Sequence, residues 1–277
     1  MDFFESLLEF KEPYNNNPKD YEKEYKERTK YLRSKENLEI CKPFVTECQR
    51  LAEIAVKYTD QYQVLKNRLD KDVMSEKYSV GGEALYRGYY CPSPVIDIVV
   101  GGCSRGRLLS RITARSKPTF KYGFNVNNDL IAVDNLGYSY GTNAIVTEAI
   151  IRNGELERGI VYKKWNEERQ VDRLSESAYC DGQIISFIDC SYMYFNNSVD
   201  LYNREDYVYS DKGLSTVHMY RFQASFGPIL THQEYRFMHD DEGYLSQYVI
   251  ICHPEGSGRL KPYWDGQVYD VGIRRKG

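Results

Sequence analysis

The sequence predicts an α+β protein: N-terminal helices beside a large twisted or curled antiparallel β-meander built from successive hairpins. Three observations predict it. None of the 20 glycines in the 277 residues precedes Gly81, and a long glycine-free stretch favours helix, because glycine costs ~1 kcal/mol in a helix interior. After residue 80, Asn153-Gly154, Asp181-Gly182, Asp211-Lys212-Gly213, Asp241-Glu242-Gly243 and Asp265-Gly266 each separate apolar runs, with glycine spacings of 28, 31, 30 and 23. Asn or Asp before Gly tolerates the positive φ of tight turns and is a strong hairpin signal. Tyrosine reaches 26 residues, 19 of them after residue 80, and its ring suits a sheet face that is part buried and part wet.

Residues 1–80 are read as the helical segment and 81–277 as the meander domain. Asn15 to Pro18 separates a short apolar segment (Phe3, Phe4, Leu7, Leu8) from a charged helix beginning near Asp20. Pro43 is expected to start a second, longer helix. Its stripe of Phe44, Cys48, Leu51, Ala55, Tyr58, Tyr62, Leu65 and Leu69 alternates spacings of four and three, a heptad seam. With so few heptads the seam is expected to pack inside the chain, on the preceding helix (Tyr21, Tyr25, Leu32) or on the sheet. Spacings near thirty then fit one hairpin per unit, with Ser225-Phe226-Gly227-Pro228 as a return turn and about ten to twelve strands in all.

Composition bounds the function. Thirty-seven Lys plus Arg against 40 Asp plus Glu leave a net charge of -3, which argues against bulk nucleic-acid binding. No run approaches the ~18 apolar residues of a membrane helix. Met1 to Asp20 carries acids and no apolar core, so no signal peptide is expected. Seven cysteines without tight spacing suit a reducing cytoplasm. No cofactor is expected, since Val95–Val100 followed by Gly101-Gly102-Cys103-Ser104-Arg105-Gly106-Arg107 reads as a strand and a glycine-rich turn without the Walker lysine or dinucleotide spacing.

Three of the turn units share a pattern of Tyr-x-aromatic, polar turn and Leu: Tyr122-Gly123-Phe124 to Leu130, Tyr207-Val208-Tyr209 to Leu214, and Tyr235-Arg236-Phe237 to Leu245. They resemble the YD repeats of bacterial Rhs-type proteins. The C-terminal part is also similar to small bacterial β-meander proteins that accompany toxin systems, some of them immunity-like. The resemblance implies strand-turn-strand geometry and the binding of another protein, as an immunity-type partner that neutralises a toxin; no motif positions a nucleophile, a base and an oxyanion hole together, so no enzymatic role is expected.

Two groups of residues carry the chemistry. Between Ile98 and Asn128 there is no acid, while Arg105, Arg107, Arg111, Arg115, Lys117 and Lys121 all occupy odd positions. An extended segment would align them as a basic ribbon on one face, a contact for an acidic partner. Tyr220, Tyr235 and Arg236 are further candidates for partner contact. All four histidines lie between His218 and His253. A simple hairpin register around Phe226-Gly227-Pro228 sets His218 opposite Arg236, Tyr220 opposite Glu234 and Phe222 opposite His232, so that His218, His232 and Glu234 share a face. Without an HExxH pattern no metal is assigned, and cross-strand polar pairs of this kind commonly do no more than stabilise a face. The alternatives kept beside protein binding are a metal-assisted hydrolase using that His/Glu cluster and an anion or carbohydrate binder.

Overall fold

The computed structural model describes residues 30–100, 103–137, 146–165, 168–224, 228–253 and 265–276. The predicted helix near Asp20, Gly101-Gly102 and the turn residues 225–227 lie outside them. Helix α1 (Lys35–Tyr58) is followed by a 3₁₀ turn (Thr59–Gln61) and α2 (Tyr62–Asp72). Thirteen strands follow: β1 (Ser75–Val80), β2 (Arg107–Leu108), β3 (Phe120–Phe124), β4 (Leu130–Asn135), β5 (Val146–Asn153), β6 (Leu156–Trp165), β7 (Glu168–Cys180), β8 (Gln183–Met193), β9 (Ser198–Ser210), β10 (Gly213–Gln223), β11 (Ile229–His239), β12 (Tyr244–His253) and β13 (Val268–Lys276). The predicted class, N-terminal helices and an antiparallel meander, is the observed one, with thirteen strands among the described residues against the ten to twelve expected.

The chain forms two compact units, residues 1–52 with 198–277 and residues 53–197. In the first, strands run β9-β10-β11-β12-β13; in the second, β8-β7-β6-β5-β4-β3-β1-β2. All five predicted turns close hairpins or lead into a strand, and Gly154, Gly182, Gly213, Gly243 and Gly266 all have positive φ. The turn chemistry read from the sequence is therefore what sets the strand boundaries.

The heptad seam packs within the chain. Cys48, Leu51, Ala55, Leu65 and Leu69 are at most 8% exposed, and Phe44, Tyr58 and Tyr62 are half-buried. In the first unit, Phe44 of α1 meets the rings of Tyr202 at 6.1 Å, Tyr220 at 5.5 Å and Phe222 at 6.0 Å. In the second, Tyr62 of α2 packs edge-on against Tyr162 at 5.2 Å, and the Tyr162 hydroxyl donates to the Tyr58 carbonyl at 2.8 Å.

Three expectations change. Pro43 does not start a helix; it sits inside α1. Its missing N–H forgoes one backbone bond, a loss of ~3 kcal/mol, and the burial of Asn37 and Cys41 before it and of Val45, Cys48 and Leu51 after it outweighs that. The run Val95–Val100 is not a strand, since Ile96–Val99 forms a helical turn (α3). Ser93 Oγ accepts the Ile96 N–H at 3.1 Å, satisfying a donor at the start of that turn. The basic segment 105–115 is extended only at Arg107–Leu108. Gly106 turns the chain with φ +73, and Thr113 and Ser116 bond each other in a local turn.

Candidate functional site

Two clusters of titratable side chains stand on sheet faces, one in each unit. The first is built on β5, β6 and β7. Register pairs Glu148 with Val161 and Val161 with Arg173, and two residues along, Ile150 with Gly159 and Gly159 with Ser175. Alternation puts Glu148, Glu157, Gly159, Arg173 and Ser175 on one face. The segment after β1 brings Tyr86 and Arg87 onto it. Arg87 has φ +58, a left-handed conformation that costs a non-glycine residue ~1–2 kcal/mol.

The Arg87 side chain is 2% exposed and makes ion pairs with Glu148 at 2.8 Å and Glu157 at 2.5 Å, themselves 5% and 4% exposed. Arg152 holds Glu157 from the other side at 2.7 Å. The Tyr86 hydroxyl lies 2.5 Å from Glu148 Oε1 and 2.9 Å from Ser175 Oγ. Gly159 makes room for all of this: a Cβ there would sit 1.9 Å from Glu148 Oε1 and 2.6 Å from both Arg87 and Ser175. The two carboxylates of this one guanidinium shift in opposite directions. Burial raises the pKa of Glu148, with Arg87 and Tyr86 only partly opposing it. Burial also works against Glu157, but Arg87 and Arg152 outweigh it and lower its pKa.

A cavity of about 140 Å³ opens beside this network. Ala84, Leu85, Phe120, Val133, Val146 and Val161 are its apolar lining; Glu83, Tyr86, Arg87, Asn135, Glu148, Asp172 and Arg173 are its polar lining. Arg173 is itself paired with Asp189 at 2.9 Å.

The second cluster stands on β10, β11 and β12. The observed register pairs His218 with Glu234, Tyr220 with His232, Phe222 with Leu230, and His232 with His253. The expected register is thus off by two residues. An even slip preserves which face each side chain takes, so His218, His232 and Glu234 do come together. His253 joins them from β12, one strand beyond the β10–β11 hairpin. His218 Nδ1 and His232 Nε2 are 3.2 Å apart. His232 stacks between Tyr220 at 4.3 Å and His253 at 4.0 Å. His253 Nε2 lies 3.0 Å from Glu234 Oε2, and Arg236 bonds the other carboxylate oxygen. Burial, reinforced by His253 and His218, pushes the His232 pKa down to about 4. For Glu234, burial is outweighed by the bonds from Arg236 and His253, which hold its carboxyl below the usual range.

The residues expected to contact a partner are dispersed. Arg105 donates to the carbonyls of Cys91 and Ser93 and pairs with Asp97, so it braces its own loop. Arg107, Arg111 and Arg115 are exposed but do not form one strand face. Tyr235 is 6% exposed, Tyr220 lies between Phe44 and His232, and Arg236 is tied to Glu234. The Arg87 network was not anticipated. The signal for it was Gly159, a glycine inside a strand pattern, which marks a close approach of other groups. Comparison with protein-family models and with curated proteins gives no match, so the functional reading rests on this geometry.

Proposed function

We propose that the protein binds a small, uncharged, hydroxyl-rich molecule of carbohydrate type in the cavity beside Arg87. The observation that carries this reading is that both arginines of the cavity lining are already paired. Arg87 is held by Glu148 and Glu157, and Arg173 by Asp189. An anion entering the cavity finds no unmatched cation, and moving a charge there from water is costly. A neutral polyol meets donors and acceptors without that penalty, including acceptors on Glu83, Asp172 and Asn135. Apolar walls would cover its C–H faces, in the usual pattern of a largely apolar pocket with a few placed polar groups. The volume of about 140 Å³ is close to that of a cavity that holds benzene, so it encloses about six non-hydrogen atoms, a small polyol or one side of a sugar ring.

Buried charge supports a functional reading because an apolar core of the same volume is commonly as stable or more so, and perturbed carboxyls concentrate at functional sites. The immunity-type protein partner implied by the turn resemblance has less support, since its expected contacts are dispersed or buried. Calorimetry of the full chain against pentoses, hexoses, polyols, sugar phosphates and small amines tests the proposal. Binding of a neutral sugar, weakened at least tenfold by Asp172→Asn or Arg173→Met, is expected. Binding of only the phosphates or amines, or of none of the panel, would overturn it.

A further inference from the structure

We propose that His218, His232 and His253 form a binding site for a transition-metal ion of the Zn²⁺ class. The three residues lie on neighbouring strands, on one face, and one ligand atom from each lies within 4.8 Å of the others. Imidazole nitrogen suits zinc, copper, nickel and cobalt, whereas calcium and magnesium require oxygen ligands. A tetrahedral zinc with Zn–N bonds of ~2.0–2.1 Å places its ligand nitrogens about 3.3 Å apart. The separation of His218 Nδ1 and His232 Nε2 is 3.2 Å, so two of the three ligands already stand at that spacing.

The surroundings are those of a metal site. Metal-bound histidines usually donate their second ring N–H to a carboxylate or carbonyl, which fixes tautomer and ring orientation. Glu234 Oε2 is placed to receive the Nε2–H of His253 at 3.0 Å, and Arg236 anchors the same carboxylate. His253 then offers Nδ1 to the ion. Tyr220, wedged between Phe44 and His232, restrains the His232 ring from the other side.

Closing the site requires one movement. The rings of His232 and His253 are nearly parallel, 10° apart in plane at 4.0 Å, so their lone pairs point side by side. The His253 ring must tilt to aim Nδ1 at a shared point. It is the last residue of β12, and its side chain keeps 29% of its surface exposed, so among the described residues the tilt displaces no packed core. Between His218 and His232 one ring nitrogen carries the proton of their contact. Metal binding moves that proton to the other nitrogen of the same ring, so neutral imidazoles bind without net proton release. Three protein ligands leave a fourth position for water or an exogenous ligand, the arrangement of open rather than closed zinc sites.

The test uses the full-length chain with Zn²⁺ and Co²⁺. Calorimetry is expected to give one ion per chain, and the cobalt form an intense visible spectrum of four-coordinate type. His218→Ala, His232→Ala and His253→Ala should each weaken binding at least tenfold, while His239→Gln, the histidine outside the cluster, leaves it unchanged. Diethylpyrocarbonate labelling of the wild type gives a readout that does not depend on the variants folding: zinc should protect His218, His232 and His253. Absence of stoichiometric binding would overturn the proposal. So would a six-coordinate cobalt spectrum with no protection of these three rings, or affinity that survives the three substitutions.

Discussion

The Arg87 network and the histidine face solve the same problem, polar groups on a largely buried sheet face, in opposite ways. On β5–β7 each buried charge has its counter-charge: Arg87 bonds both Glu148 and Glu157, and a segment outside the sheet supplies Tyr86 and Arg87 to cover the strands. On β10–β12 the polar groups are three imidazoles whose ring nitrogens crowd together, with one carboxylate, Glu234, held at the edge by Arg236. Matched charge resists change and recognises a ligand only through the cavity beside it. The imidazoles, by contrast, bond one another and Glu234 in contacts that a cation can take over. The comparison teaches that counting ionisable residues does not locate a site; what matters is whether their bonding capacity is already spent within the fold.

The largest effect is expected from breaking the matched network. Arg87→Ala leaves Glu148 and Glu157 without their shared guanidinium, and stranding buried charge of this kind costs about 3–5 kcal/mol. Urea denaturation followed by circular dichroism should show that loss; a change under about 1 kcal/mol would mean that the network contributes little to stability. Gly159→Ala comes next, with roughly 2–4 kcal/mol expected from steric conflict with Glu148 and Arg87. Gly182→Ala is its control. Among the described residues a Cβ at Gly182 meets nothing within 4 Å, so only the strain of its φ of +78 remains, about 1–2 kcal/mol.

Glu148→Gln sharpens the comparison through pH. Burial raises the folded pKa of Glu148 above its reference value of 4.5. A raised carboxyl pKa contributes stability that is complete below the unfolded pKa and is lost as pH rises through the folded value. Glutamine copies the neutral acid, so the variant should lack this dependence, and wild type and variant should diverge in stability as pH rises above 4.5. Parallel stability curves would contradict the assigned shift. The smallest effect is expected for the combined change of Arg107, Arg111 and Arg115 to Glu. These side chains are exposed, and surface changes of this kind usually stay within ±0.5 kcal/mol each. A loss of several kcal/mol would show that the basic segment is structural.

Much of the fold was legible because turns are local. The positive φ that Gly154, Gly182 and Gly266 adopt is announced by the Asn or Asp beside them, and the α1 seam by its heptad spacing. Pro43 misled because a local rule about helix starts yields to burial on both sides of it. The histidine face was half legible: face membership survives an even error in register, but His253 needed the third strand. The Arg87 network could not be read by spacing at all. Its members Arg87, Glu148, Glu157 and Ser175 are far apart in sequence, and Arg87 enters from a left-handed turn that its residue type does not advertise.

The contrast between the two faces is tested most directly by two-dimensional amide NMR of the deuterated full-length chain, titrated separately with Zn²⁺ and with the sugar selected by calorimetry. The account predicts that zinc perturbs amides around His218, His232 and His253 and leaves those around Arg87, Glu148 and Ser175 in place, while the sugar does the reverse. Zinc perturbation centred on Arg87 and Glu148, or a sugar response centred on the histidine face, would contradict it.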